Sequence, residues 1–211
     1  MARSMTPKNV MMDKAEVAES SKTAVFRRAS GPGATLGGRH VFFVGLRASG
    51  KTSLGALAAQ RLGRTFVDTD QLVVQRAGRT IEEIVQDKGW DEFRRLETNA
   101  LRAVCASADP LVAATGGGIV LAAENRELLK GGGPVFYLQA TTLLVVDRLT
   151  RDMDPASRPP LTELPLTEEM SALREERDPL YMEVANFILH AEEPLDSLAA
   201  NVADKLLLVG R

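Results

Sequence analysis

The eight residues from Gly45 to Thr52 read G-L-R-A-S-G-K-T and satisfy the pattern G-x-x-x-x-G-K-[ST] at every fixed position. The glycines let successive backbone N–H groups turn toward an anion, and the following helix adds the positive end of its dipole. Lys51 would bring a charge to the β- and γ-phosphates of a nucleotide, and the Thr52 hydroxyl is the expected Mg²⁺ ligand. An apolar run precedes the loop and a helix-prone stretch follows it, which favours a phosphate site over a chance glycine-rich turn.

Two carboxylates, Asp68 and Asp70, follow the next strand-like run. In an extended segment residues i and i+2 share a face, which predicts that both carboxylates point into one cleft beyond the strand end. One would hold a metal ion through water, and the other would orient or deprotonate an acceptor hydroxyl. The alternative is that the pair caps a helix that begins before Gln71.

Two arginines and a glycine triplet complete the candidate site. Arg94 and Arg177 are suited to bidentate capture of a carboxylate, and the alternative for each is a solvated helix arginine. The backbone at Gly116-Gly117-Gly118 would let a small ligand approach closely, and the alternative is a simple turn between strand and helix.

The segments that position these residues alternate between strand-like and helix-like runs. Strands are predicted at 40–44, 65–67, 111–114, 134–138 and 186–190, and helices at 52–62, 71–77, 80–88, 91–107, 122–130, 141–150 and 195–208. This order predicts an α/β fold, a three-layer α/β/α arrangement around a five-stranded parallel sheet. Residues 151–166 contain four Pro without periodicity, which predicts a mobile lid. Residues 1–38 form a predicted disordered N-terminal extension, so the domain spans 39–211.

The composition excludes several classes of protein. The 211 residues carry 26 Lys plus Arg against 28 Asp plus Glu, so no positive field would attract nucleic acid. One Cys and two His exclude a metal site built on those residue types. No apolar run reaches the ~18 residues of a membrane helix, and no secretory signal is recognisable. We therefore expect a cytoplasmic protein that binds neither nucleic acid nor membrane.

Kinases, GTPases and motor proteins share the phosphate loop. The GTPase base-reading pattern N-K-x-D does not occur, and 211 residues are too few for the accessory elements of large ATPases. A small kinase is the natural interpretation.

Together these motifs resemble those of the shikimate kinase family. They are the loop at 45–52, Asp68-Thr69-Asp70, Phe93-Arg94 within 89–97, Gly116-Gly117-Gly118, Arg158-Pro159 and Arg177-x-Pro179-Leu180-Tyr181, in the family order over residues 40–208. The resemblance implies a monomeric P-loop kinase that phosphorylates the 3-hydroxyl of shikimate with ATP, on the route to chorismate and the aromatic amino acids. Trp90 departs from the family pattern, which often has Glu there.

On the acceptor side, the resemblance implies that Asp70 holds the shikimate hydroxyls and acts as the base. Arg94 and Arg177 would clamp the carboxylate, and Gly117, with Gly116 and Gly118, would form a backbone wall.

On the nucleotide side, the resemblance implies that Asp68 holds Mg²⁺ through water and that Arg158 in the lid reaches the phosphates. Arg151 would pack on adenine. The other predicted nucleotide contacts are Ala48, Ser49, Gly50, Lys51, Thr52 and Ser53, and the predicted catalytic groups are Lys51, Asp70 and Arg158.

Two alternatives stay open from the residues themselves. One is a small kinase that acts on another acceptor, such as gluconate or a nucleoside monophosphate. The other is a nucleotide-dependent binding module without transfer activity. An enzyme is favoured over it by the intact catalytic groups Lys51, Thr52, Asp68, Asp70 and Arg158.

Overall fold

Five short strands form the centre of the molecule. The computed structural model describes residues 39–151 and 164–209. The strands are β1 (Val41–Val44), β2 (Thr65–Asp68), β3 (Leu111–Ala114), β4 (Val135–Gln139) and β5 (Phe187–His190). Neighbouring strands all pair in parallel, in the order β2-β3-β1-β4-β5. Helices cover both faces, so β1 and β3 are buried throughout. The predicted five-stranded parallel sheet is confirmed.

The helices of the described residues are α1 (Lys51–Leu62), α2 (Thr69–Ala77), α3 (Ile81–Cys105), α4 (Ala123–Gly132), α5 (Thr142–Arg151), α6 (Leu166–Val184) and α7 (Leu195–Val209), with a 3₁₀ turn at Ile119–Leu121. The sequence patterns predict no helix at the position of α6. This helix contains Pro179 and buries the charged Glu169 and Arg177, so neither its composition nor its apolar periodicity resembles that of an amphipathic helix.

Gly89 interrupts α3. Its φ of 78° and ψ of 175° are not helical, so the two helices predicted on either side of Gly89 meet at a kink. Arg94 lies in the first part of the second of these helices, shortly after the kink.

The carboxyl ends of the central strands meet at one edge of the sheet. Phe43 lies beside Ala114 in the β1–β3 pair, and Asp68 lies beside Ala114 in the β2–β3 pair. The segments that follow β1, β2 and β3 consequently leave the sheet at the same edge, where ligands of open α/β sheets bind.

Two predicted segments, residues 1–38 and the part of the lid at 152–163, lie outside the described residues. Among the helices that the structure does describe, none combines the length and the apolar character that crossing a bilayer requires.

Candidate active site

The phosphate loop between β1 and α1 has the backbone shape that an anion site requires. Gly45 and Gly50 have φ values of 143° and 106°, which favour glycine. A Cβ on Gly45 would also lie only 2.6 Å from the carbonyl oxygen of Leu138. Lys51 is buried and its Nζ donates to the carbonyl oxygen of Leu46 at 2.6 Å, so its charge lies against the loop.

A further arginine, which is not among the predicted site residues, donates hydrogen bonds to carbonyl groups of the loop. Arg148 on α5 donates to the carbonyl oxygens of Ser49 at 2.6 Å, of Ala48 at 3.2 Å and of Ala191 at 3.1 Å. When loop N–H groups face an anion, carbonyl groups on the other side need donors of their own. Arg148 lies 99 residues from Ser49 in the chain, so no local signal could have revealed this contact.

Asp68 is both a helix cap and a partner of Thr52. Its Oδ1 accepts hydrogen bonds from the N–H groups of Asp70 at 3.0 Å and Gln71 at 3.3 Å, as the N-cap of α2. The prediction of an extended pair is wrong, because α2 begins directly after Asp68 and contains Asp70 in its first turn. Oδ2 of Asp68 accepts from Oγ1 of Thr52 at 2.7 Å. Capping and contact with the phosphate loop therefore use different oxygens of one carboxylate.

The hydroxyl of Thr52 and the carboxylate of Asp68 supply two hard oxygen donors beside the loop, which suits Mg²⁺. Across residues 39–151 and 164–209 no group of three or more His, Cys, Asp or Glu side chains could hold a metal ion. Mg²⁺ commonly takes only one or two protein ligands and completes its shell with water and phosphate oxygens. The pair fits that kind of site.

Asp70, Glu97 and Gly116 meet at the base of a polar cluster. A Cβ on Gly116 would overlap Oδ1 of Asp70 and Oε1 of Glu97, so both carboxylates lie against this backbone. Glu97 is fully buried, and its Oε1 accepts no hydrogen bond within the part of the chain that is described. Burial raises the pKa of Glu97, and the charges of Arg94 and Arg177 oppose that rise.

Arg94 belongs to this cluster and is not a solvated helix arginine. Its Nη1 pairs with Oε2 of Glu97 at 2.7 Å. Its guanidinium lies 5.6 Å from the ring centre of Trp90 and 5.4 Å from that of Phe93. A Cβ on Gly118 would overlap the same guanidinium. Trp90, the residue that departs from the family pattern, therefore helps to hold Arg94.

Arg177 reaches the cluster from α6. Only 7% of it is exposed, and its charge acts on both Glu97 and Tyr181. Tyr181, one turn later on the helix, donates to the carbonyl oxygen of Gly117. The structure thus brings together the predicted acceptor residues from three helices and the loop after β3.

The polar cluster adjoins the phosphate loop. A Cβ on Gly117 would lie 3.1 Å from the backbone nitrogen of Arg47 and 3.6 Å from the carbonyl oxygen of Gly45. The side chain of Arg47 pairs with the buried Glu169 of α6, which fastens the loop to the helix that carries Arg177.

Four side chains with clear structural roles were missed as site residues: Glu97, Arg148, Glu169 and Tyr181. The i, i+3 spacing of Arg94 and Glu97 is a helix ion-pair signal that could have found the first. The other three act across long separations in the chain.

The remaining predicted nucleotide contacts have different outcomes. Ala48, Ser49, Gly50, Lys51, Thr52 and Ser53 lie in the loop and the first turn of α1. Arg151 ends α5, where it is 75% exposed and pairs with Asp147 at 2.8 Å. Arg158 lies outside the described residues, so its role and that of the lid stay predictions.

The chain is similar to known proteins over most of its length. A family model for shikimate kinase matches residues 47–207. The shikimate kinase 2 of Yersinia enterocolitica is 41% identical over 162 residues, which is 77% of this chain and 92% of that one.

Solved structures agree with the sequence matches. A shikimate kinase from Acinetobacter baumannii, in complex with shikimate, superposes with a TM-score of 0.76 at 34% identity, and covers 82% of this chain and 95% of its own. A shikimate kinase from Bacteroides thetaiotaomicron superposes with a TM-score of 0.71 at 28% identity, over 80% of this chain and 98% of its own.

Proposed function

This chain belongs to the shikimate kinase family, and from that premise we propose how its side chains carry out the reaction. The protein is a P-loop kinase that transfers the γ-phosphoryl group of ATP to the 3-hydroxyl of shikimate, which gives shikimate 3-phosphate and ADP on the route to chorismate and the aromatic amino acids. One observation supports the roles below: Arg94, Arg177 and Asp70 lie around one buried glutamate beside the phosphate loop.

Arg94 and Arg177 hold the carboxylate of shikimate in this proposal. Each guanidinium can donate two parallel hydrogen bonds to a carboxylate. Glu97 is buried between their charges, so it partly neutralises them and orients Arg94 through the 2.7 Å contact. The backbone of residues 116–118 lets the acceptor lie close to these groups, because a side chain on Gly116 or Gly118 would fill the space that they occupy.

Asp70 binds the acceptor hydroxyl and takes its proton. Its carboxylate lies at the Gly116 backbone, beside that of Glu97. A base that is already positioned needs little reorganisation when the hydroxyl attacks the γ-phosphorus. Positioning of this kind supplies a large share of the rate in phosphoryl transfer.

The phosphates lie in the loop at residues 45–52. Backbone N–H groups of the loop and the start of α1 face the anion, with contacts from Ala48 to Ser53, and Lys51 stabilises the negative charge that develops on the transferred group. Arg158 adds a second charge from the lid, and Arg151, exposed at the end of α5, packs on adenine.

Thr52 and Asp68 would hold Mg²⁺, Thr52 directly and Asp68 through water. When bound, the ion would offset the negative charge of the phosphates. The hydrogen bond of 2.7 Å between these two side chains keeps both oxygens in place for it.

We also propose that the protein acts as a monomer in the cytoplasm. Every residue of the described cluster comes from one chain, so the site needs no second copy, and ATP is available in that compartment. Light scattering of the purified chain at assay concentration tests the monomer, and a mass of two chains would contradict it.

Coupled ADP release tests the reaction and its acceptor. We expect release that depends on shikimate and is close to background with gluconate or a nucleoside monophosphate. Phosphorus NMR of the product should give one phosphate ester, at the 3-position. Release that does not depend on shikimate would contradict the assignment.

A further inference from the structure

Two stacked tyrosines lie beneath the glycine triplet. Tyr181 of α6 is fully buried, and its ring stacks on that of Tyr137 in β4, with ring centres 5.0 Å apart and planes inclined by 27°. The Tyr181 hydroxyl donates to the carbonyl oxygen of Gly117, 64 residues away in the chain. That carbonyl belongs to the backbone wall of the acceptor pocket.

One arginine of the clamp, Arg177, lies on the same helix as Tyr181. It precedes Tyr181 by one helical turn, on the same face of α6. Burial raises the pKa of Tyr181, and the charge of Arg177 opposes the rise. The Tyr181 hydroxyl therefore ties the α6 turn next to Arg177 to the Gly117 carbonyl, in a place from which bulk water is excluded.

Tyr137 makes a different contact and offers a matched comparison. Its hydroxyl donates to Oδ1 of Asp178 at 2.5 Å, and Arg174 pairs with Oδ2 of the same carboxylate at 3.0 Å. Tyr137 thus fastens α6 to the sheet, but none of its described hydrogen bonds reaches the glycine triplet.

We propose that Tyr181 is a positioning residue for shikimate, because its hydrogen bond to Gly117 holds the backbone wall at a fixed distance from the α6 turn that carries Arg177. This inference rests on the proposed function. Gly117 also lies against the backbone of the phosphate loop, so the separation that Tyr181 sets aligns the acceptor with the phosphates as well. Small errors in such alignment slow transfer strongly.

The test compares Tyr181→Phe with Tyr137→Phe. Each substitution removes one hydroxyl and keeps the stacked ring, so the two variants lose similar packing. We expect Tyr181→Phe to raise the KM for shikimate by about 10-fold, the order expected for the loss of one buried hydrogen bond, while the KM for ATP stays within about 2-fold. Tyr137→Phe should keep both constants near those of the wild type, and conservation of the far-ultraviolet circular dichroism establishes that each variant is folded.

Each outcome decides a separate point. If the wild-type protein shows no shikimate-dependent ADP release, the proposed function itself is rejected. Active wild type with an unchanged shikimate KM in Tyr181→Phe, or with equal changes in both variants, would overturn the positioning role alone.

A second measurement needs no variant at the tested position. The chain contains two tyrosines, so labelling with 3-fluorotyrosine gives two fluorine resonances, and labelled Tyr137→Phe assigns the one from Tyr181. Addition of shikimate should shift the Tyr181 resonance. A resonance that stays in place at saturating shikimate would overturn the proposal even if Tyr181→Phe fails to fold.

Discussion

Replacing Gly118 with alanine should disable the arginine clamp without touching either arginine. Gly118 has φ of −99° and ψ of 4°, a conformation that alanine can adopt. The three atoms nearest to a Cβ at this position all belong to the Arg94 guanidinium, which the new Cβ would overlap. Because this obstacle is the end of a flexible side chain, we expect Arg94 to move and the backbone to stay.

The size of the loss in shikimate affinity follows from the contacts that Arg94 would give up. Heavy atoms of packed side chains lie about 4 Å apart, so the guanidinium must move far enough to break its contact of 2.7 Å with Glu97. A hydrogen bond to a charged group contributes about 1.5–3 kcal/mol, so loss of the aligned clamp should weaken shikimate binding by roughly 10- to 150-fold. Glu97, fully buried, would lose its partner, at a cost of about 1–3 kcal/mol in stability.

Calorimetric titration of shikimate and of ADP measures the effect, and Gly131→Ala is the control. A Cβ on Gly131 would meet nothing within 4 Å, and alanine is the better helix former by about 0.5–1 kcal/mol. We expect Gly118→Ala to lose shikimate affinity and keep ADP affinity, and Gly131→Ala to keep both. A folded Gly118→Ala chain with normal shikimate affinity would refute the role of Arg94.

Three further predictions test other parts of the site. Asp70→Asn should lower kcat by about 10²- to 10⁴-fold with little change in ATP affinity, and steady-state rates within a few-fold of wild type would reject the base. Thr52→Val removes the hydroxyl that contacts Asp68 and should raise the Mg²⁺ concentration for half-maximal rate by about 10-fold, whereas an identical Mg²⁺ titration would contradict the metal site. Burial raises the pKa of Tyr181, so the folded state keeps a proton that the unfolded state releases near pH 10. Wild-type stability should therefore fall relative to Tyr181→Phe by about 1.4 kcal/mol per pH unit above about pH 10, and parallel urea-unfolding midpoints across that range would exclude this.

Most of the fold could be predicted because its signals are local. Apolar runs such as Val41–Val44 lie between turn residues, and the helices between them carry apolar faces. The helix at Leu166–Val184 could not be predicted in this way, because the charged Glu169 and Arg177 occupy buried positions on it. Glu169 pairs with Arg47, far away in the chain, and Arg177 interacts with the distant Glu97 as well as with its neighbour Glu176. Read alone, the helix therefore looks polar.

The pair Asp68 and Asp70 shows a case in which the predicted local geometry is wrong. Alternation along a strand predicted that both carboxylates share a face, yet the helix begins at Thr69. Asp68 reaches Thr52 with one oxygen and caps the helix with the other. Local sequence allows either strand or helix there, and the Asp68 side chain caps the helix that forms.

The phosphate loop was determined by the sequence itself, because its N–H groups, glycines and lysine come from eight adjacent residues and adopt their shape through local backbone preferences. The acceptor site was decided only by the tertiary structure. Arg94 and Glu97 are neighbours on one helix, but Gly118, which contacts the Arg94 guanidinium, comes from the loop after β3. Tyr181 reaches Gly117 only because α6 packs against the same loop. Burial, which makes a charge costly or a hydroxyl essential, depends on neighbours that no stretch of sequence contains by itself.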